Sequence, residues 1–298
     1  MTILQVKGVT KRFGNFKALS GVDFNINKGE VFGFIGPNGA GKSTTIKILL
    51  GILKPTSGSA TIFGLDAWKN SVEIHKKIAY VPGDANLWPN LTGGEVIDLF
   101  LKLRGSFDPV KRDQLIKRFQ LDPTKKCRTY SKGNRQKVAL VSAFASDAEL
   151  FILDEPTSGL DPLMEKVFQD CVAEAKQEGK SVLLSSHILS EVERLCDRVG
   201  IIRQGTIIET GSLTELRHLT RTNLIAETKK PMPALANMPG VHNLQSVDNG
   251  VSFQVDTETM DAVMKLISSA GVIRLESTPP TLEDLFMRHY ETKGSDAV

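Results

Sequence analysis

The octapeptide Gly36-Pro37-Asn38-Gly39-Ala40-Gly41-Lys42-Ser43 restricts what this 298-residue chain can fold into more than any other feature. It has the pattern GxxxxGK[ST]. An apolar run, Val31 to Ile35, precedes it and reads as a strand. An apolar-periodic stretch, Lys42 to Leu50, follows and reads as a helix, stopped by Gly51 with Pro55 beyond. A strand, a glycine-rich turn and a helix in that order point main-chain N–H groups inward at the positive end of a helix, which makes a cradle for phosphate oxygens. Lys42 then reaches the outer phosphates of a nucleoside triphosphate. The Ser43 hydroxyl, with Thr44 beside it, is placed to ligate Mg²⁺.

A phosphate loop of this kind works with a carboxylate at the end of a neighbouring strand. Leu150-Phe151-Ile152-Leu153-Asp154-Glu155 supplies two after four apolar residues. Asp154 is the expected magnesium partner. Glu155 follows on the other face of the extended chain, where it polarises a water for attack on the γ-phosphate. The base-reading Asn-Lys-x-Asp of GTPases is missing, because Asn27-Lys28-Gly29-Glu30 lacks the Asp and precedes the phosphate loop.

The rest of the chain follows α/β grammar. Short β-rich runs at Ile3 to Val6, Val22 to Ile26 and Ala60 to Phe63 predict a small β subdomain. Further strands at Ile78 to Val81, Leu150 to Leu153, Val182 to Leu184 and Val199 to Ile202 predict a mainly parallel sheet. Between them, Glu95 to Leu103, Pro109 to Phe119 and Ser131 to Ala145 have helical periodicity, giving a helical subdomain at about 84–147. After residue 218 the texture changes. Strands at Asn223 to Glu227, His242 to Val247, Val251 to Val255 and Val272 to Glu276, a helix at Met260 to Ser268 and a final helix at Leu282 to Tyr290 predict a small α+β domain over 219–298.

With its motifs in place, the sequence resembles the nucleotide-binding subunits of ABC transporters over roughly Ile3 to Thr210. The implied fold is a P-loop NTPase cassette with a β subdomain, a mainly parallel core and a helical subdomain. Ser158-Gly159-Leu160-Asp161 is similar to the loop that in relatives touches a second subunit. His187 matches the switch histidine that contacts the γ-phosphate. Phe13, in Lys11-Arg12-Phe13-Gly14, sits where relatives place an aromatic ring on adenine; a core ring on a β edge is the alternative.

Two stretches depart from the family pattern. Tyr130-Ser131-Lys132-Gly133-Asn134-Arg135-Gln136 stands where most relatives carry Leu-Ser-Gly-Gly-Gln. The resemblance implies that Ser131, Lys132, Gly133, Asn134 and Gln136, with Asp161, touch the ATP held by a second copy; by themselves these residues also describe a capped helix with a solvated basic face. In Tyr80-Val81-Pro82-Gly83 a glycine replaces the usual Gln, and Asp84 is expected to take its place at the metal.

The resemblance thus implies an ATP-hydrolysing subunit, with ATP and Mg²⁺ as cofactors. It would pair with a second copy or a related ATPase subunit and drive a separate transmembrane permease. The tail from Pro279 to Phe286 is similar to that of drug and polysaccharide exporters. The apolar stretch Asp84 to Pro89 suits docking of a short helix from the membrane partner, unless Trp88 is tucked inward. The longest apolar runs are too short to span a bilayer, and three cysteines without CxxC spacing suggest neither a disulfide framework nor a zinc site. A peripheral position on the cytoplasmic face of the membrane is therefore expected. With 37 basic against 34 acidic residues, no nucleic-acid partner is expected. Two other readings stand beside this one. A soluble ATPase of the same type acting on ribosomes or DNA has only the basic excess of the first 214 residues behind it. An ATP-sensing regulator is kept open by the missing Gln.

Overall fold

The computed structural model describes residues 1–105, 107–218, 221–247 and 250–278. Two compact units divide the chain, Met1–Thr210 and Gly211–Val298.

The first unit begins with a long hairpin of β1 (Thr2–Phe13) and β2 (Phe16–Asn27). Only fragments of it are legible as strands, because register shifts at Val9 and Lys11 break the period-two pattern of buried residues. The phosphate-loop unit follows as β3 (Val31–Ile35) and α1 (Lys42–Leu49). Next come β4 (Ser57–Ile62), β5 (Leu65–Asp66), α2 (Ser71–His75) and β6 (Ile78–Val81). The helical segment holds α3 (Gly93–Arg104), α4 (Pro109–Arg118) and α5 (Lys132–Phe144), each with a side-chain cap: Thr92 in a reciprocal box with Glu95, Asp108, and Ser131. The chain then returns to the core as β7 (Leu150–Asp154), α6 (Pro162–Gln177), β8 (Ser181–Ser186), α7 (Leu189–Leu195), β9 (Arg198–Arg203) and β10 (Thr206–Ser212).

Two sheets result. One is antiparallel, in the order β2-β1-β4-β5. The other runs β10-β9-β3-β8-β7-β6, with parallel pairing of β3 to β8 and β9, and of β7 to β6 and β8. Every residue of β3, β7 and β8 is buried, as expected of parallel strands covered on both faces. Phe24 of the antiparallel sheet stacks on both Phe32 and Phe34 of β3, with centroids 5.3 and 5.2 Å apart, which joins the two sheets in one core. On the opposite face of β3, Gly33 admits α7: a Cβ there would lie 2.6 Å from Val192 Cγ1.

In the second unit, α8 (Leu213–His218) precedes a four-stranded antiparallel sheet in the order β12-β13-β11-β14, made of β11 (Thr222–Thr228), β12 (Val241–Val247), β13 (Gly250–Val255) and β14 (Val272–Thr278). The amphipathic helix α9 (Met260–Ala270) buries Val263 and Ile267 against Leu224, Ala226, Phe253 and Val255. The expected helix Leu282 to Tyr290 lies outside the described residues.

Candidate active site

Parallel strands place their carboxyl ends side by side, and loops leaving those ends converge. Ile35 of β3 pairs with Ser186 of β8, and Asp154 of β7 pairs with Ser185, so the phosphate loop, the Asp154-Glu155 pair and His187 leave the sheet together. The loop conformation depends on two glycines. A Cβ on buried Gly36 would lie 2.3 Å from the Ile202 carbonyl oxygen. Gly41, at φ 114°, would place one 2.6 Å from Leu19 Cδ2. The resulting cleft of about 260 Å³ is lined by Pro37, Asn38, Gly39, Gly41, Lys42, Ser43 and Thr44, by Glu155, and by Phe16 and Ala18 of the hairpin.

Lys42 is buried, donating from Nζ to the Gly36 carbonyl oxygen at 2.5 Å, and Nζ lies 3.6 Å from Glu155 Oε1. His187 Nδ1 lies 3.2 Å from the other oxygen of the same carboxylate. Three residues that follow three strand ends thus form one continuous chain beside the loop. Glu155 adopts φ 48°, a left-handed conformation that costs a side-chain-bearing residue about 1–2 kcal/mol. Its N–H donates to the Ser185 carbonyl at 2.9 Å, and its own carbonyl accepts from Ser158 N at 3.2 Å, which holds the turn. Strain of this kind persists where the surroundings over-determine it, characteristically at reacting centres.

Asp154 is 7% exposed, and its Oδ1 has no hydrogen-bond partner among the described residues. A buried carboxylate oxygen without a donor is unfavourable unless a cation meets it. With the Ser43 hydroxyl in the cleft, the donor set is hard oxygen, which suits Mg²⁺. Among the described residues no cluster of three His, Cys, Asp or Glu offers an all-protein alternative. Burial and then the charge of Asp154 push the Tyr80 phenol up to about 12.

The start of α5 meets the segment that follows Glu155. Lys132 Nζ donates to Ser158 Oγ at 2.7 Å, and a Cβ on Gly133 would lie 2.3 Å from the Gly159 carbonyl oxygen. Exposed Ser131 caps the helix, its hydroxyl accepting from Asn134 N at 3.3 Å. Asp161 caps α6 in the same way, accepting from Met164 N at 3.0 Å.

Three of the expected site residues are not among those lining the cleft. Gln136 is 0% exposed and donates from Nε2 to the Pro82 carbonyl at 2.9 Å, so it is not presented to a second subunit; it falls on the inward side of a helix whose residues are all buried from that position on. Phe13 is 48% exposed, with Lys11 Nζ 5.1 Å from its ring centroid, and does not line the cleft; its partner across the hairpin turn, Phe16, does. Asp84 is outside the cleft lining. Gly83 lies against the chain at Asp154 and Glu155, its Cβ position being 3.1 Å from the Asp154 carbonyl oxygen and 3.5 Å from Glu155 Cβ. Phe16 had a signal in the sequence: Gly14-Asn15 between two aromatic residues is a two-residue hairpin turn.

A phosphate loop at the end of a parallel strand, with an acidic pair at the end of the next strand but one, defines a P-loop nucleoside triphosphatase. Similarity to known proteins narrows the class. The ABC transporter family profile matches residues 19–158, and that of the DrrA1-3-like ATP-binding protein C-terminal domain matches residues 211–290. The chain is 37% identical over 211 residues to the bacitracin transport ATP-binding protein BcrA of Bacillus licheniformis, covering 70% of this chain and 69% of BcrA. It is 32% identical over 296 residues to the uncharacterized ABC transporter ATP-binding protein YhaQ of Bacillus subtilis, covering 96% and 97%. The dimeric post-hydrolysis structure of the ATP-binding cassette MJ0796 bound to ADP and Pi superimposes with a TM-score of 0.64 at 27% identity, covering 71% of this chain and 99% of that one. The chain belongs to the ATP-binding proteins of ABC transporters, and it is the ATP-hydrolysing subunit of such a transporter.

Proposed function

We propose that this subunit closes on a second copy of itself, or on a related ATPase subunit, when ATP binds, and drives a separate permease as hydrolysis lets the pair reopen. The observation behind this reading is the contact chain Lys42–Glu155–His187 beside the cleft, with a buried, unpartnered oxygen on Asp154, the residue before Glu155. The triphosphate lies along Gly36 to Thr44. Glu155 accepts a proton from water as the water oxygen bonds to the γ-phosphorus, and the bond to the β–γ bridging oxygen breaks to leave ADP and phosphate. Lys42 balances the charge on the phosphates, and His187 orients the Glu155 carboxylate. Ser43 and Asp154 would hold Mg²⁺, which supplies positive charge against the phosphate oxygens. Asp154→Asn is expected to weaken the magnesium dependence of phosphate release by at least about tenfold in half-saturating metal, since it removes a charged oxygen ligand. An unchanged magnesium titration would remove Asp154 from that role.

Ser131, Lys132, Gly133 and Asn134, with Asp161, are assigned to the nucleotide of the second copy. Support comes from the exposed, positively polarised start of α5 and from the dimeric relative. The C-terminal profile and the bacitracin-transport relative favour an exporter. No helix among the described residues is long and apolar enough to cross a membrane, so we place the subunit on the inner face of the cell membrane through its permease.

A groove of about 290 Å³ between the sheet and the helical segment suits that contact. Leu50, Ile52, Tyr80, Leu87, Phe100 and Arg104 contribute to its lining, and half-exposed Trp88 packs on Phe100 at 5.9 Å. Arg104 Nη1 is buried there without a partner among the described residues, and burial pushes the guanidinium pKa down. An uncompensated cation in apolar surroundings favours an incoming anion. The occupant is thus a short permease segment with apolar side chains and one carboxylate. Arg104→Leu is expected to cut permease retention in pull-down at least about tenfold, and retention at the native level would dismiss the assignment.

A further inference from the structure

Gln136 is a buried polar side chain for which neither packing nor ligand contact accounts. It is 0% exposed, its Nε2 bonds the Pro82 carbonyl at 2.9 Å, and its Oε1 is buried with no partner among the described residues. A buried amide with one end unsatisfied is less favourable than an apolar residue of its size, so filling space does not explain it. Pro82 leads into Gly83, whose main chain lies against both carboxylate-bearing residues, its Cβ position being 3.1 Å from the Asp154 carbonyl oxygen and 3.5 Å from Glu155 Cβ. One turn earlier the same helix meets the segment on the other side of Glu155, through Lys132 with Ser158 and Gly133 with Gly159. The rigid start of α5 therefore touches the chain on both flanks of Glu155.

We propose that Gln136 is a positioning residue for hydrolysis: through Pro82 it holds the Gly83 main chain against Asp154 and Glu155, and so keeps the Glu155 carboxylate in place relative to the phosphate loop. A displacement of the start of α5, where Ser131 is presented to the second copy, passes by this bond to Glu155. The inference rests on Glu155 acting as the water-activating group.

In the full chain, Gln136→Leu keeps side-chain volume and removes the donor. The expected result is a fall in kcat of about tenfold with KM for ATP changed less than about twofold. An unchanged kcat, or a loss confined to KM, would overturn the proposal, because a purely structural bond shifts thermal stability without that split. If Gln136→Leu does not fold, Gln136→Glu decides. The introduced carboxyl donates to Pro82 only while protonated, and burial raises its pKa, so kcat relative to the native chain should drop about tenfold as pH rises from about 6 to about 8.5. A ratio flat across that range would overturn the proposal. Glu155→Gln assayed in parallel separates the two ideas: normal turnover there defeats the Glu155 reading itself, whereas lost turnover there with a silent Gln136→Leu defeats only this inference.

Discussion

Glu155→Gln is expected to slow ATP turnover by about 10²–10⁴-fold while leaving the nucleotide bound, because the amide keeps the shape of the side chain and loses the basic oxygen that takes the proton from water. The substitution also removes the charge facing Lys42 Nζ at 3.6 Å and His187 Nδ1 at 3.2 Å. Neither contact is needed to hold the triphosphate, since the phosphate-binding groups of the cleft belong to the 36–43 loop and the first turn of α1. Nucleotide binding thus survives and the closed pair of subunits accumulates with ATP, because closure no longer leads to hydrolysis. Phosphate release under steady-state conditions and size-exclusion chromatography with and without ATP measure the two effects. Turnover within about threefold of the native rate would take Glu155 out of the proton-accepting role.

Lys42→Ala should act on binding rather than on the proton step. It is expected to weaken ATP affinity by about 100-fold, the size of two good charge-assisted hydrogen bonds to phosphate oxygens in a partly desolvated cleft. The ammonium donates to the Gly36 and Pro37 carbonyl oxygens at 2.5 and 3.4 Å. Phosphate oxygens compete with these two bonds and with the Glu155 carboxylate at 3.6 Å. Lys42→Arg is not a mild change here: a planar five-donor fork replaces a compact ammonium on a residue that is 5% exposed. Titration calorimetry with ATP in the presence of magnesium reads both variants, and an affinity for Lys42→Ala within about threefold of native would exclude this lysine as the phosphate anchor.

Much of the site was legible in the sequence wherever a few consecutive residues do the work. The loop from Gly36 to Ser43 binds through its own main chain, and its flanking strand and helix are set by local apolar patterning. Asp154 and Glu155 follow an apolar run that can only be a covered strand, and Ser131 and Asp161 are helix caps as well as surface groups. Short-range pattern does not say in which direction a side chain points. Phe13 and Phe16 are neighbours across a hairpin whose register is irregular, and the choice of which ring faces the cleft belongs to that register. The strands and the helix α9 of the second unit were legible because their apolar faces pack locally, Val263 and Ile267 sharing one core with Leu224, Ala226, Phe253 and Val255.

Residues far apart along the chain were brought together only by the order of the parallel strands. Lys42, Glu155 and His187 meet because β3, β8 and β7 are adjacent, and the left-handed turn at Glu155 exists because Ser185 takes its N–H. Gln136 looks in the sequence like one more surface residue of a basic helix start; burial against Pro82, fifty-four positions earlier, turns it inward. The sequence by itself therefore determined that this chain binds a triphosphate, since main-chain amides and one lysine within eight residues suffice for that chemistry. Tertiary structure alone decided that a carboxylate and a histidine meet beside the phosphate loop and that an amide is buried behind it, because such meetings depend on distances between strands and helices that no local pattern encodes.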